Sequence, residues 1–549
     1  MRARIPAPCA LLLALGLVPG AWAQNQDEST TLELSLDEAV ERALDNNVDI
    51  AVERFNPEIA AQSVLSAEGY YDPFVFSNLE HSSTDTKGTS SLSGGEVINT
   101  KAQVWNFGAS LPVKTGAQFD ISWNNNRRDS NNIFTSFNPV FNSFLSFNVT
   151  QPLLRNFKID TPRRQLRLSK INRQITDIEF RQSVINTVAQ TKLYYYDLIY
   201  AIDNLRAAND SLNLAKKLLE ENEIRVKVGT MAPLDIVEAR AEVASRQEAV
   251  IVAENLLANS ADNLKRVIFP QNDPVMWATR IVPTTHPVAE QLPVDLDTAV
   301  ENALENRTDV VAARKALERS DLDILYRENQ ARLQLDFVAG YGTSGAGGTE
   351  IVRDPPFGGE IVETIPGGYG DALSEVFGRD FPTWNVGVQV SYAIPNRTDK
   401  ALRAQARLSR EQALVSLRRL EFQVAQEVRT AGRAVLSGFQ RVAAATASRE
   451  LMAERLDAEQ KKFDAGMSTN FLVTQAQRDL ATQEALELQA IAEYRKSVVN
   501  FQRAQEAGVS GTGAALVLSG GTSAQGGQAV LSGAAASGVG QTTGGGQQF

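Results

Sequence analysis

The sequence predicts a mixed α+β membrane protein in which one structural unit is used twice, each use joining period-two strands to a pair of very long antiparallel coiled-coil helices. Three observations lead there. A fifteen-residue phrase is duplicated, LDEAVERALDNNVDI at 36–50 and LDTAVENALENRTDV at 296–310, with nine identical positions. Behind each copy lie segments whose apolar residues alternate, the mark of a strand with two unlike faces. Two stretches then follow, roughly Thr161 to Val228 and Asp399 to Ala465, rich in Ala, Leu, Arg, Glu and Gln.

The duplicated phrase places Ala39, Ala43 and Leu44, and likewise Ala299, Ala303 and Leu304, at helical spacing. Asp37 and Asp297 begin these helices, where a carboxylate suits free backbone donors and the helix dipole, so they are read as end stabilisers and not as a catalytic pair. Asn46 and Asn306 are read as managing the helix ends. In the first unit, strands are expected at 72–79, 104–113, 116–126 and 141–150; Trp105 and Trp123 fall near the ends of two of them. In the second, LQLDFVAGY and WNVGVQVSYAI alternate cleanly, with Val386, Val388 and Val390 on one face. Runs of nine to eleven residues suit tilted bilayer-crossing strands. The Asn/Ser-rich stretch near 124–132 and the Gly/Pro-rich stretch from about 342 to 381 read as loops.

The long stretches contain no proline between Arg163 and Pro233, or from Asn396 to the chain end. About 65 residues at 1.5 Å each give rods of about 90–100 Å, which need packing partners along their whole length. Each rod stops at a glycine, Gly229 or Gly466, followed by a new helical pattern, as at a tight turn between antiparallel helices. The Tyr194, Tyr195 and Tyr196 cluster on the first rod reads as helix packing with hydroxyls reaching water. Arg163, Arg164 and Arg167 read as a solvated helix start that could also meet lipid phosphates.

These elements divide the chain into a first repeat at 32–268, a connector at 269–291, a second repeat at 292–506 and a low-complexity tail at 508–549, read as disordered. Residues 1–23 carry Arg2 and Arg4, an apolar run and the AWA triplet of a secretory signal. Cys9, the only cysteine, would leave with it. The processed chain would keep 52 basic against 65 acidic side chains, a net charge of −13, compared with −11 for the whole chain. Disulfides, thiolate metal sites and thiol nucleophiles are thereby excluded, and the acidic balance disfavours a broad nucleic-acid surface. His81 and His286 are the only histidines and lie far apart, so no zinc site is expected. No phosphate loop, dinucleotide fingerprint, zinc-protease motif or nucleophile elbow occurs. No enzyme activity and no cofactor is expected.

After the signal, no stretch reaches eighteen apolar residues, so any membrane passage must be by a closed β-barrel. Four to six strands cannot close one, and an edge-free wall therefore needs several chains.

Between about 32 and 506 the chain resembles the outer-membrane efflux protein family, the TolC-like exit ducts of Gram-negative bacteria. The resemblance lies in the opening phrase of each half, QPLL at Gln151–Leu154, YAIPNRTDKALRAQA at 392–406, and a turn motif at Gly229, Pro233, Leu234, Asp235 and Ala239. The second half carries a degenerate turn at Gly466, Asn470, Phe471, Leu472 and Ala476. The resemblance implies a homotrimer in the outer membrane, extending into the periplasm. Four strands per protomer would complete a transmembrane barrel, and paired helices would form a periplasmic α-barrel. It further implies passive conduction in a tripartite efflux or type I secretion system, with a periplasmic adaptor, an inner-membrane pump or ABC exporter, and outer-membrane lipid as partners. The adaptor-contacting tips would be Val228, Gly229 and Thr230, with Ala465, Gly466 and Met467 in the second half, and Asp464 is the candidate gate residue. The hairpin at 104–126 exceeds the four-strand pattern. The competing reading is an exported periplasmic coiled-coil structural or adaptor protein without a barrel.

Overall fold

In the computed structural model, which describes residues 31–90, 93–270, 274–285, 289–356 and 358–506, each copy of the duplicated phrase opens a helix docked on the rods of its own half. The signal segment, the 508–549 tail and His286 lie outside the described residues. The first half runs β1 (Thr31–Leu34), α1 (Leu36–Asn46), α2 (Val48–Glu53), α3 (Phe55–Glu68), then strands β2 (Phe74–Lys87), β3 (Val97–Pro112), β4 (Gln118–Ser130) and β5 (Phe137–Pro152). The rods α4 (Thr161–Lys227) and α5 (Pro233–Ile268) complete it. Helix α6 (Pro274–Ala278) and strand β6 (Arg280–Pro283) form the connection, and β6 pairs in parallel with β1. The second half runs α7 (Leu296–Asn306), α8 (Thr308–Gln330), β7 (Gln334–Asp354), β8 (Glu360–Ile365), α9 (Tyr369–Gly378), β9 (Phe381–Ser391), and the rods α10 (Arg397–Asp464) and α11 (Asn470–Gln505).

At 67 and 68 residues, α4 and α10 each extend about 100 Å. Small residues let the entry helices sit close to them: Ala39 and Ala43 pack with Tyr195, Leu198 and Leu264, and Ala299 and Ala303 with Val428, Val435 and Tyr494. The ends of the entry helices are held by neighbours of the residues the sequence singled out. Ser35 caps α1 through a box with Glu38, Asp295 caps α7, and Asp37 and Asp297 sit in the first turns. Asn47, one residue after Asn46, caps α2 by accepting from the Ile50 amide at 3.0 Å. Asn46 itself donates to the Ile268 carbonyl on α5.

Tyr195 and Tyr196 are buried, but the Tyr195 hydroxyl does not reach water. It donates to the Leu34 carbonyl at 2.9 Å and accepts from the Thr285 amide at 3.1 Å, tying the rod to both β1 and the connector. Tyr494 on α11 makes the corresponding tie to the Glu290 carbonyl.

Strands β2, β3, β4, β5, β7, β8 and β9 form one antiparallel sheet; β7 carries β9 along its lower part and β8 along its upper part. It has six side-by-side columns where the family resemblance implies four. Directly opposed residues share a face. One rung runs Trp384, Tyr341, Phe147, Ile121, Ala109, Val75; the next, on the other face, runs Thr383, Gly342, Ser146, Ser122, Gly108, Phe76. The sheet thus has an apolar face and a largely polar one.

Trp105 and Trp123 lie mid-strand and not at strand ends, with the Trp123 indole donating to Ser143. His81 is an exposed residue of β2. The stretch near 124–132 is mostly strand, because amides such as Asn142 to Asn126 and Asn125 to the Trp105 carbonyl bridge its rungs. The 342–381 segment is not a loop either, since β7 continues to Asp354 and α9 lies on the apolar face. Gly345 makes room there, since a Cβ would overlap the Ala372 carbonyl oxygen. Tyr369 of α9 meets Trp105 edge-on and donates to Asn125.

Below the sheet, a polar junction joins the two halves. Asn156 and Gln330, Arg155 and Gln330, and Arg164 and Asp323 are hydrogen-bonded across it. Arg163 pairs with Asp160 at 3.0 Å, so two of the three clustered arginines are engaged within the chain, while Arg167 is exposed.

Tyr195→Phe keeps the ring in its packed site but leaves the Thr285 amide without an acceptor. Thr285 is exposed, so water can replace this acceptor, and a loss of about 0.5–1.5 kcal/mol is expected, the net worth of one hydrogen bond, measured as a lowered denaturant midpoint of the purified protein.

Candidate functional site

Both long hairpins turn through the same backbone device. At the first, Gly229 has φ 80°, its amide donates to the Val226 carbonyl at 3.0 Å, and the Thr230 amide donates to the Arg225 carbonyl at 2.9 Å. At the second, Gly466 has φ 76°, its amide donates to Phe463 at 3.0 Å, and the Met467 amide to Lys462 at 2.8 Å. This 6→1 and 5→2 pair is the Schellman ending, which satisfies the last carbonyls of a helix and reverses the chain. No atom lies within 4 Å of a Cβ built on either glycine, so the left-handed backbone, not crowding, makes glycine the fitting residue. The returning helices start differently. Pro233 opens α5 while the Asp235 carboxylate accepts from the Ala232 amide; α11 begins at Asn470, which is buried.

The tips are apolar and open. Val228 is 68% exposed and Met467 76%, and Leu234 and Phe471 beside them are also exposed. Just inside, the hairpins are joined to one another. Arg225 donates to Asp464 at 2.8 Å and lies over the Phe463 ring, and Asn222 donates to Asn470 at 2.8 Å. The candidate residues of the two tips are therefore brought into one neighbourhood, with Asp464 paired to the rod of the other hairpin.

The strongest joint was not visible in the sequence. Glu242 on α5, 3% exposed, receives Arg478 of α11 at 2.5 and 2.8 Å and Arg246 of its own helix at 2.7 Å. Burial pushes its carboxyl up, but the hydrogen bonds and charges of Arg478 and Arg246 outweigh this and hold it below the ordinary 4.5. The Glu242–Arg246 spacing of four is a legible helix pair. Nothing local marks Arg478, 236 residues away, as the third member. Among the described residues, no group of three or more His, Cys, Asp or Glu is placed to hold a metal, and no helix is long and apolar enough to cross a membrane.

A sequence model of the outer membrane efflux protein family matches residues 112–268 and 299–505. A search of curated proteins finds no match. Among solved structures, the outer-membrane channel OprN is similar at 17% identity, with 86% of this chain and 90% of that one covered and a TM-score of 0.61. The Campylobacter jejuni CmeC outer membrane channel is similar at 15% identity, covering 91% and 95%, with a TM-score of 0.61. The open state of the Neisseria gonorrhoeae MtrE outer membrane channel is similar at 16% identity, covering 86% and 88%, with a TM-score of 0.58. At these identities the likeness concerns the fold alone. Since the family match spans more than half of the 549 residues, the chain belongs to the outer membrane efflux protein family, a family of the cell outer membrane.

Proposed function

We propose that three copies of this chain assemble into a passive duct of a tripartite efflux or type I secretion system, carrying substrate from an inner-membrane pump or ABC exporter to the exterior. The observation that carries this reading is the two-faced sheet set above about 100 Å of rods. Its apolar face suits lipid and its polar face suits a water-filled lumen, the arrangement of outer-membrane barrels. A periplasmic coiled-coil protein without a barrel would leave Val386, Val388 and Val390, each about 60% exposed, facing water. Probes attached at these three positions are expected to be quenched by lipid-borne quenchers and not by aqueous ones. Aqueous quenching would overturn the barrel.

The exposed tips, Val228, Gly229 and Thr230 with Ala465, Gly466 and Met467, are assigned to the periplasmic adaptor. An apolar knob at the end of a charged rod suits a docking point for an apolar cleft. Gly229→Val forces a β-branched residue into a left-handed backbone, at about 1–2 kcal/mol, and it alters the surface the adaptor would grip. Efflux is expected to fall several-fold in a susceptibility assay while the amount of protein in the outer membrane stays unchanged. Unchanged efflux overturns the tip assignment.

Closure of the periplasmic end is assigned to the joints between the hairpins. Magnitudes rank them. Asp464 is 59% exposed at its side chain, and such a pair is worth about 0–1 kcal/mol. Breaking a fully buried pair costs about 3–5 kcal/mol. With Arg478 half exposed and Arg246 still beside Glu242, this joint is worth less than that but more than the exposed one, so Glu242 with Arg478 is the main latch and Asp464 with Arg225 a secondary one. Because the Glu242 carboxyl is depressed, its contribution is complete above the ordinary 4.5 and is lost as pH falls through the lower native value. Basal conductance in planar bilayers is therefore expected to rise as the pH drops below 4.5. Glu242→Gln should show the raised conductance already at pH 7 and lose the acid step. A variant conducting like the parent at pH 7, with the acid step intact, removes Glu242 from the latch.

A further inference from the structure

The sheet's columns run β2, β3, β4, β5, β7, β9, with β8 continuing the last column above β9. Its outermost strands carry the mark of missing neighbours. Thirteen of the 14 residues of β2 and ten of the 11 of β9 are exposed, on both faces, whereas β4 and β5 are mostly half-buried. An unpaired row of backbone N–H and C=O groups inside a bilayer costs several kcal/mol per group, so neither edge can stay open there.

Parity decides what closes it. All five joints between β2 and β9 are antiparallel, so β9 runs opposite to β2. A second copy set head to tail offers its β2 to this β9 in the antiparallel sense, and the same joint repeats around a ring. The β2–β3 portion belongs to the wall and not to a flap above it. Strand β2 pairs with β3 over 14 successive rungs, and Val75 and Leu79, 73% and 74% exposed, extend the apolar face by one column. The turn between β3 and β4 reaches down to the sheet–helix junction, where Gly116 lies against Asn156 and Arg163.

We propose that β2 of one copy pairs with β9 of the next, so that three copies close an eighteen-stranded barrel. This rests on the trimeric reading above and adds the seam and the strand count. Strands about 4.8 Å apart and tilted about 40° each take about 6 Å of wall, so eighteen give a circumference of about 110 Å. At the sheet end each copy presents four helices, α3, α4, α8 and α10, so twelve from three copies, about 8–10 Å apart, give about 100–120 Å, and the two tubes meet without a step. At equal tilt the diameter is about 1.5 times that of twelve strands, in the range where porins leave an aqueous channel. The barrel then imposes no constriction narrower than the tunnel beneath it, and selection among substrates falls to the helical part.

Cysteine pairs across the seam test this in the full-length protein in its native membrane, in a Cys9→Ser background. One of Phe76, Asn78 or Glu80 on the polar face of β2 is replaced by cysteine together with one of Thr383, Asn385 or Gly387 of β9. A parallel set uses Ser122, Asn124 or Asn126 of β4 in place of the β2 member; β4 would meet β9 if β2 and β3 stood outside a twelve-stranded wall. Oxidation is expected to convert at least one β2–β9 pair to covalent trimers that reductant dissolves, and to leave every β4–β9 pair monomeric. Cross-linking through β4 overturns the seam. So does the absence of any β2–β9 cross-link in protein that a lysine-reactive reagent still traps as a trimer. If that reagent traps a different stoichiometry, the trimeric reading fails instead, whatever the cysteine pairs do.

Discussion

The antiparallel pairing of β5 with β7 is the joint on which the rest of the structure depends. It is the seam between the duplicated halves, and it continues from Phe137 opposite Glu350 down to Pro152 opposite Asp336 with one irregularity near its top. Because the last strand of the first half lies beside the first strand of the second, the segments leaving and entering the sheet also meet. The Leu153 amide then donates to the Leu335 carbonyl, and Asn156 and Arg164 reach Gln330 and Asp323. The start of α4 is thereby fixed against the end of α8, and the rods of both halves descend side by side. The joints at the tips, about 100 Å away, need that alignment to bring Arg225 to Asp464 and Glu242 to Arg478.

What the sequence showed and what it hid follow from where each element draws its stability. The rods were legible because the backbone hydrogen bonds of a helix close within its own sequence neighbourhood, and long runs without proline leave few alternatives, even though packing partners supply most of the stability. Strands with apolar alternation were legible from their own spacing, although their partners are distant: Val386, Val388 and Val390 announce their face at a spacing of two. The upper parts of β4 and β7 were not. There the rungs are held by partners distant in sequence, as Asn142 is held to Asn126 and Thr343 to the Val376 carbonyl. The local composition of Asn, Ser and Gly is that of a loop. Helix α9 was hidden for a related reason, since the glycines that suggested a loop are the ones that let a helix lie against the strand.

The tips divide along the same line. Their turns could be read from glycine placement, since the Schellman ending is a local structure with a local requirement. Their joints could not. Asp464 and Asn470 could be picked out beside the second turn, but their partners on the other hairpin, Arg225 and Asn222, have no sequence feature that sets them apart from the many charged and amide residues on solvated helix faces. Only the juxtaposition of two hairpins, itself a consequence of the β5–β7 seam, distinguishes them.

In the closure proposed above, the Glu242–Arg478 joint is ionic and buried on its Glu242 side, and that bears on what it would do. Replacing a buried ion pair by well-packed apolar residues is often neutral or stabilising, so permanent closure would be served at least as well by leucine at Glu242. Carboxylate and guanidinium offer a different property. Arg478 is half exposed even while paired, its side chain at 51%, so on opening its charge is already largely solvated and most of the penalty falls on Glu242. Separation of the hairpins would return the Glu242 carboxylate to water, which recovers much of the desolvation cost that opposes the closed pair. An apolar joint would gain nothing comparable from water on opening. The difference between closed and open is therefore smaller for the ion pair than for a hydrophobic seam of equal area, which suits the proposed role of a joint that holds at rest and releases when an adaptor grips the tips.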